Sequence, residues 1–309
     1  MYLVFGHILS METTKTPKGP TLRQFQARFP TEDSCLEHLK LVRYGAKHTC
    51  AKCEREAKYY RVKARRSYEC EHCGYQVYPT AGTPFHGTRT SLRDWFYVMF
   101  LFTSTRNGVA AKRVQREIGV TYKTAWRMCK LIRQYMGYVD GDDALGGFDG
   151  QPVEIDHGFI GGRQTESKNP LEDKKIVLGM IERGGSVIAR HLPERRLDLI
   201  ASTLNASLRP GSHVVSDAEA SFTSVLRMGK NHTHTTIKRS AGEFKVNGQT
   251  TGHVEGFWNL VKRGISGTYI SVSQKHMQTY LNEFEFRYNL RKSPHMMFDL
   301  LLLSFPRGA

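Results

Sequence analysis

The chain has 309 residues, with 45 Lys and Arg against 29 Asp and Glu, a formal net charge of +16. Hydrophobic residues at 39% and aromatics at 11% can fill packed cores, which excludes a disordered tail protein. No run of 18 apolar residues occurs, so no membrane-spanning helix is expected. The first ten residues lack a basic lead and a small-residue cleavage site, which argues against a secretory signal. Residues 1–20 read as a disordered or mis-called N-terminus, with Met11 as an alternative start. The remainder is long enough for two or three domains.

The excess charge is unevenly placed. Residues 40–75 carry ten basic and four acidic residues, and residues 101–140 carry eight and two. Twelve of the sixteen excess charges thus fall in two blocks, a pattern that suits a polyanionic partner such as nucleic acid better than an ordinary mixed surface.

The first block holds Cys50-Ala51-Lys52-Cys53 and Cys70-Glu71-His72-Cys73. Each pair can offer two thiolates from one tight turn, and two pairs complete the tetrahedral shell that Zn²⁺ prefers. Two disulfides are the alternative, and a basic chain without a secretory signal disfavours them. The reading is a four-cysteine zinc ribbon within a DNA-binding domain over residues 21–88. Between the pairs, Lys58, Arg61, Lys63, Arg65 and Arg66 alternate with Tyr59 and Tyr60, which suits a hairpin lying on a phosphate backbone. Cys35 and Cys129 read as plain buried thiols.

The second block, residues 89–140, reads as helix-turn-helix. Ser91 and Asp94 cap a largely apolar helix through Phe102; a helix over 109–117 follows, then a break at Gly119. Thr121 opens a further helix carrying Lys123, Arg127 and Lys130, a basic face suited to DNA. Residues 137–150 are rich in glycine and aspartate and read as a linker.

The second half carries the acids. Strands are expected over 152–156, 175–181, 187–190 and 212–217, and helices over 195–208 and 219–226. This α/β order places Asp156 and Asp217 at strand ends. A helical segment over 253–263 puts Glu255 and Lys262, seven apart, on one face, with Arg263 beside them. Three converging carboxylates would bind two Mg²⁺ ions for in-line phosphoryl transfer, with Lys262 and Arg263 near the DNA backbone. From Ser273 onward, Met277, Tyr280, Leu281, Phe284 and Tyr288 form an ordinary amphipathic core face.

Several segments resemble one family over nearly the whole chain, from about Thr21 to Phe305. They are Cys70–Cys73 running into residues 80–86, residues 121–126, Val153–Asp156 with Ile160-Gly161-Gly162, Val215–Asp217, Glu255–Arg263 and Glu283–Asn289. The chain resembles bacterial insertion-sequence transposases that join an N-terminal zinc ribbon to a DDE domain. The resemblance implies an RNase H-like catalytic domain over 150–305, making the whole a multidomain α/β protein. It makes Asp156, Asp217 and Glu255 the acid triad, with Lys262 as downstream basic partner. It further implies structural Zn²⁺, catalytic Mg²⁺, recognition of terminal inverted repeats, and cleavage and strand transfer of double-stranded DNA. Handling two DNA ends implies a homo-oligomer, and the expected location is the cytoplasm, on the nucleoid. Two departures stand out: His157-Gly158-Phe159 replaces the usual Glu-Thr-Tyr after the first acid, and Gly252-His253 replaces an Asn before the third. Neither removes an expected metal ligand.

Two rival functions remain open at this point. One is a transposase-derived DNA-binding protein without chemistry, which would have no use for three carboxylates beside phosphate. The other is a nuclease on the same fold that cuts without joining.

Overall fold

The computed structural model describes residues 19–161, 174–227 and 231–305. The expected disordered or mis-called N-terminus therefore lies almost wholly outside the described residues, as does Gly162 of the glycine pair.

The basic half begins with two helices, α1 (Leu22–Arg28) and α2 (Glu32–Tyr44), each opened by a threonine whose hydroxyl accepts a backbone N–H of the first turn, Thr21 from Gln24 and Thr31 from Ser34. A four-stranded antiparallel sheet follows, β1 (Lys47–Thr49), β2 (Glu56–Val62), β3 (Ser67–Cys70) and β4 (Gln76–Val77), in chain order. Next come α3 (Leu92–Ser104), α4 (Ala111–Ile118) and α5 (Tyr122–Asp140). Ser91 and Thr121 cap α3 and α5 by accepting the N–H of Asp94 and Thr124. Gly119 ends α4 at φ 69°, a left-handed conformation that glycine adopts without strain.

The helix expected to yield to a linker near Gly137 instead runs to Asp140. A Cβ at Gly137 would lie 2.3 Å from Asn282 Nδ2, so the glycine is there for close helix packing and not for a break. One core joins α1, α2, the ribbon sheet, α3 and α5 to a C-terminal helix, α10 (Met297–Leu303).

The second half is built on a five-stranded mixed sheet. Its strands are β5 (Val153–Ile160), β6 (Lys175–Glu182), β7 (Val187–Leu192), β8 (His213–Asp217) and β9 (Thr233–Ile237), in the order β7-β6-β5-β8-β9. The first three strands form an antiparallel meander, and β8 and β9 add in parallel. Helices α6 (Leu197–Ser207) and α7 (Ala220–Arg227) close one core with the sheet; α8 (Gly252–Gly264) and α9 (Met277–Asn289) close another.

Asp156 was expected at a strand end, and Asp217 does end β8. Asp156 is mid-strand, because β5 continues through Gly158 to Ile160, paired with β6 along its whole length. The α9 helix is also more than an amphipathic surface helix. It packs on both α5 and β7, and its polar side is buried too: Glu283, Glu285 and Arg287 are all at most 8% exposed. Glu283 accepts from Arg133 Nε (2.7 Å) and Arg287 Nη2 (2.7 Å), tying α9 to α5. Glu285 accepts from Arg190 Nη1 and the Ala189 N–H, both at 2.8 Å, tying it to β7.

Candidate metal and nucleic-acid sites

The four ribbon cysteines meet at one point. Cys50 and Cys73 sulfurs are 3.6 Å apart, Cys53 and Cys70 sulfurs 3.9 Å, and all four lie within 4.8 Å of one another. These spacings exclude disulfides, and all six cysteines are free thiols. Tetrahedral zinc with bonds of about 2.3 Å places sulfurs about 3.8 Å apart, which this cluster matches. The Cys50 thiol is lowered to about 6, chiefly by the Tyr59 hydroxyl beside it, while Cys73 is pushed up to about 12, the hydrogen bond from the Tyr75 backbone being outweighed by burial and the neighbouring sulfurs. Cys35 and Cys129 are fully buried elsewhere, and burial pushes their thiols up to about 12 and about 11.

The basic residues expected on DNA divide into two sets. Lys58, Lys63 and Arg65 are exposed on the ribbon, and Lys123 and Arg127 on α5. Arg66 instead donates to the Thr88 and Thr90 carbonyls (2.9 and 3.1 Å) and pairs with Glu32. Arg61 pairs with Asp33 and donates to the Val62 and Arg65 carbonyls. Lys130 lies over the Trp126 ring, 5.8 Å from its centroid. Arg61 and Arg66 thus hold the hairpin in shape.

The acids stand around the junction of β5, β8 and α8. The Asp156 carboxylate accepts from Trp258 Nε1 at 3.2 Å, and burial together with the Asp217 charge pushes its pKa up to about 6. Burial and the neighbouring Glu219 charge raise Asp217 as well. Asp217 Oδ1 is buried with no hydrogen-bond partner among the described residues. Glu255 lies farther out, half exposed, and pairs with Arg239 Nη1, whose Nη2 donates to the Thr251 hydroxyl. The three acids do not close together as the cysteines do, the one such cluster among the described residues. Like charges repel without a cation between them, and Arg239 supplies a competing positive partner for Glu255.

Four supporting residues escaped the sequence reading. Glu154, fully buried on β5, accepts from the backbone N–H groups of His253 and Val254 at the start of α8. Thr251 gives α8 no side-chain cap, so Glu154 takes that part from another element. His157 faces away from Asp156, stacks on Phe222 and meets Glu219 at 3.0 Å. Burial would raise Glu219, but hydrogen bonds from His157, Ser221 and Arg195 hold it at about 2. The fourth is Arg239. Sequence carries one signal of this kind, His157 in an unusual place after the first acid; Glu154 and Glu219 are defined by partners 99 and 62 positions away, and Arg239 by one on another element.

Lys262 and Arg263, exposed on α8, line a groove of about 1090 Å³ with Lys175 of β6 and Gly161 beyond β5. The groove opens along the same helix that carries Glu255.

Comparison with known proteins agrees with this layout. Residues 145–289 match the family model described as an ISXO2-like transposase domain, a DDE domain, and residues 30–76 match a transposase zinc-ribbon domain. No curated protein matches the chain. Among the described residues, no helix is long and apolar enough to cross a membrane. The two matched segments coincide with the cysteine cluster and with the sheet bearing the acids, and the chain belongs to the insertion-sequence transposases that join a zinc ribbon to a DDE transposase domain.

Proposed function

We propose that this protein binds the terminal inverted repeats of its element, cuts the DNA there and joins the ends to a target by in-line phosphoryl transfer. The observation that carries the reading is the pair Asp156 and Asp217. Two half-buried carboxylates, one pushed up to about 6 and the other with a buried, unpartnered oxygen, form an electrostatic deficit that a cation relieves. Asp156, Asp217 and Glu255 would hold two Mg²⁺ ions. When bound, the ions supply neutralisation of the attacking and leaving oxygens. Trp258 orients the Asp156 carboxylate, Glu154 fixes the helix of Glu255, and Lys262 and Arg263 hold the strand by its phosphates.

The strand order β7-β6-β5-β8-β9, an antiparallel meander extended by parallel strands, supports an RNase H-like domain over residues 150–305. The ribbon over 21–88 and the helices over 89–140 would bind DNA together, since they share one core. Within that unit α4 and α5 act as helix-turn-helix, with Lys123 and Arg127 toward the groove of the duplex. A homo-oligomer would bring two ends together.

The Arg239–Glu255 ion pair favours a second reading, a DNA-binding derivative in which the third acid is neutralised for good. Nicking of supercoiled DNA carrying the element's ends, with Mg²⁺ or Mn²⁺, separates the two. Asp156→Ala, Asp217→Ala and Glu255→Ala should bind DNA with full zinc content and fail to cut. Tight binding by the unaltered chain without cutting in either metal would leave the binding-protein reading.

A further inference from the structure

We propose that Ile270 is a wedge that enters the base stack of a DNA duplex lying in the groove beside α8, kinking it away from the acids. The proposal rests on the DNA-transposase reading above and adds to it a contact that no charge or acid in the chain announces.

The helix of Glu255, Lys262 and Arg263 ends at Gly264 and continues as one π-helical turn, Ile265–Tyr269, closed by the Ile270 N–H donating to the Ile265 carbonyl (2.6 Å). Ile270 itself has φ 65° and ψ −56°, and the Ser271 N–H donates to the Tyr269 carbonyl at 2.7 Å across it. This is a γ-turn of the strained, positive-φ kind, at a β-branched residue where glycine would be comfortable. Such a conformation persists when its surroundings hold it in place. Here Ile265 and Val272 are buried on either side, and the Tyr269 hydroxyl donates to Glu283 Oε2 at 2.7 Å. The turn is a rigid pedestal.

What it presents is an apolar tip. Ile270 is 84% exposed, more than any other large hydrophobic side chain among the described residues. Its groove is mixed: Lys175, Lys262, Arg263, Asn259 and Ser266 line it together with half-buried Phe159 and buried Ile160. A protein partner would want a broad exposed apolar surface around that tip, whereas Ile160, Ile265 and Val272 are buried and Phe159 is half-buried. A duplex wants what is present, cations for its phosphates and one bare aliphatic side chain for a base step. From Glu255 to Gly264 the helix advances about 13.5 Å, the length of about four base pairs of duplex.

The test uses the full-length zinc-loaded chain, without magnesium, on duplexes carrying the element's ends with a fluorescent base analogue, quenched by stacking, moved step by step. The unaltered chain should raise the fluorescence about threefold or more at one step. Ile270→Ala and Ile270→Gly should bind and lose the rise; Ile270→Met should keep it. Ile270→Gly should also melt at a higher temperature, because the strain is gone while the contact is lost. Binding without a fluorescence rise at any step, or an equal rise in Ile270→Gly, overturns the wedge and leaves the transposase reading standing. A change of mass in light scattering for Ile270→Ala with fluorescence unchanged makes the tip a contact between copies, which also overturns it. Failure of the unaltered chain to bind DNA at all overturns both readings.

Discussion

Glu154 and His253, ninety-nine positions apart, are bound to each other twice: the Glu154 carboxylate accepts the His253 backbone N–H at 2.8 Å and faces its Nδ1 at 2.6 Å. Glu154 stands two residues before Asp156 on the same strand face, and His253 stands two before Glu255. One buried carboxylate therefore sets the first acid's strand against the third acid's helix. Glu154→Ala should strip an orphaned helix end of its acceptor and lower unfolding free energy by about 3 kcal/mol, measured in urea. Glu154→Gln keeps one acceptor and should lose less. Equal losses in the two variants would count against the capping role.

Trp258, on the same helix, covers that same face of the acid strand, and two glycines make room for it. A Cβ at Gly158 would lie 2.8 Å from the indole, and one at Gly179 2.5 Å. Gly158→Ala and Gly179→Ala should each cost about 1–3 kcal/mol by overpacking and pull Trp258 Nε1 from Asp156, visible as a change in tryptophan emission. Gly256→Ala has nothing within 4 Å of its new Cβ and should instead gain up to about 1 kcal/mol from helix propensity.

What could be read from the chain in advance was what local chemistry decides. Cysteine spacing announces the ribbon, and Ser91 and Thr121 announce helix starts, because knuckles and caps are made by residues within a few positions of one another. Asp217 at the end of an apolar run was legible for the same reason. Glu154, Arg239 and the Arg133–Glu283 pair were not, since each is defined by a partner on another element, 150 positions away for Arg133. Even the acid strand reads from sequence as ending at Asp156, because a glycine reads as a break until the indole that needs its space is known.

Zinc removal should be felt well beyond the knuckles. Cys50 and Cys70 share a core with Leu36 and Leu39 of α2 and with Trp95 and Phe96 of α3. Chelation, or Cys70→Ser, should lower the melting temperature of the whole basic half, with one zinc per chain lost in parallel by elemental analysis. Survival of the α3–α5 helices at their original melting temperature in the zinc-free chain would show instead that the ribbon is an independent unit.

Asp140 makes the fold sensitive to pH. Burial, then the nearby Glu285 charge, pushes its pKa up to about 7 against the hydrogen bond it receives from Asn289 Nδ2 at 2.8 Å. An acid raised in the folded state binds its proton more tightly there than in the unfolded chain. Its stabilisation is full below the ordinary value of 3.8 and is lost as pH rises through about 7. Asp140→Asn keeps an acceptor for Asn289 and removes the titration. Thermal melts from pH 4 to pH 7.5 should fall less in Asp140→Asn than in the unaltered chain, whatever the remaining groups contribute to both. Parallel curves would mean that the carboxyl titrates normally.

Arg239 is the last element of the site to be placed by experiment. Its guanidinium joins Glu255 and Thr251 and lowers the pKa of the nearby Asp217 by its charge, so it occupies the electrostatic position that a divalent ion would share. Both partners of the ion pair are more than a third exposed, so the pair itself adds little stability. Arg239→Gln should therefore leave the melting temperature nearly unchanged and strengthen Mn²⁺ binding, followed by calorimetry on the DNA-free chain, by about fivefold, the effect of one repulsive charge in a half-buried site. The Glu255→Gln single variant should bind Mn²⁺ more weakly, and adding Arg239→Gln to it should recover less than in the native background. Weaker binding in Arg239→Gln would assign the guanidinium to holding Glu255 in its ligating position, and the ion pair would then be part of the metal site.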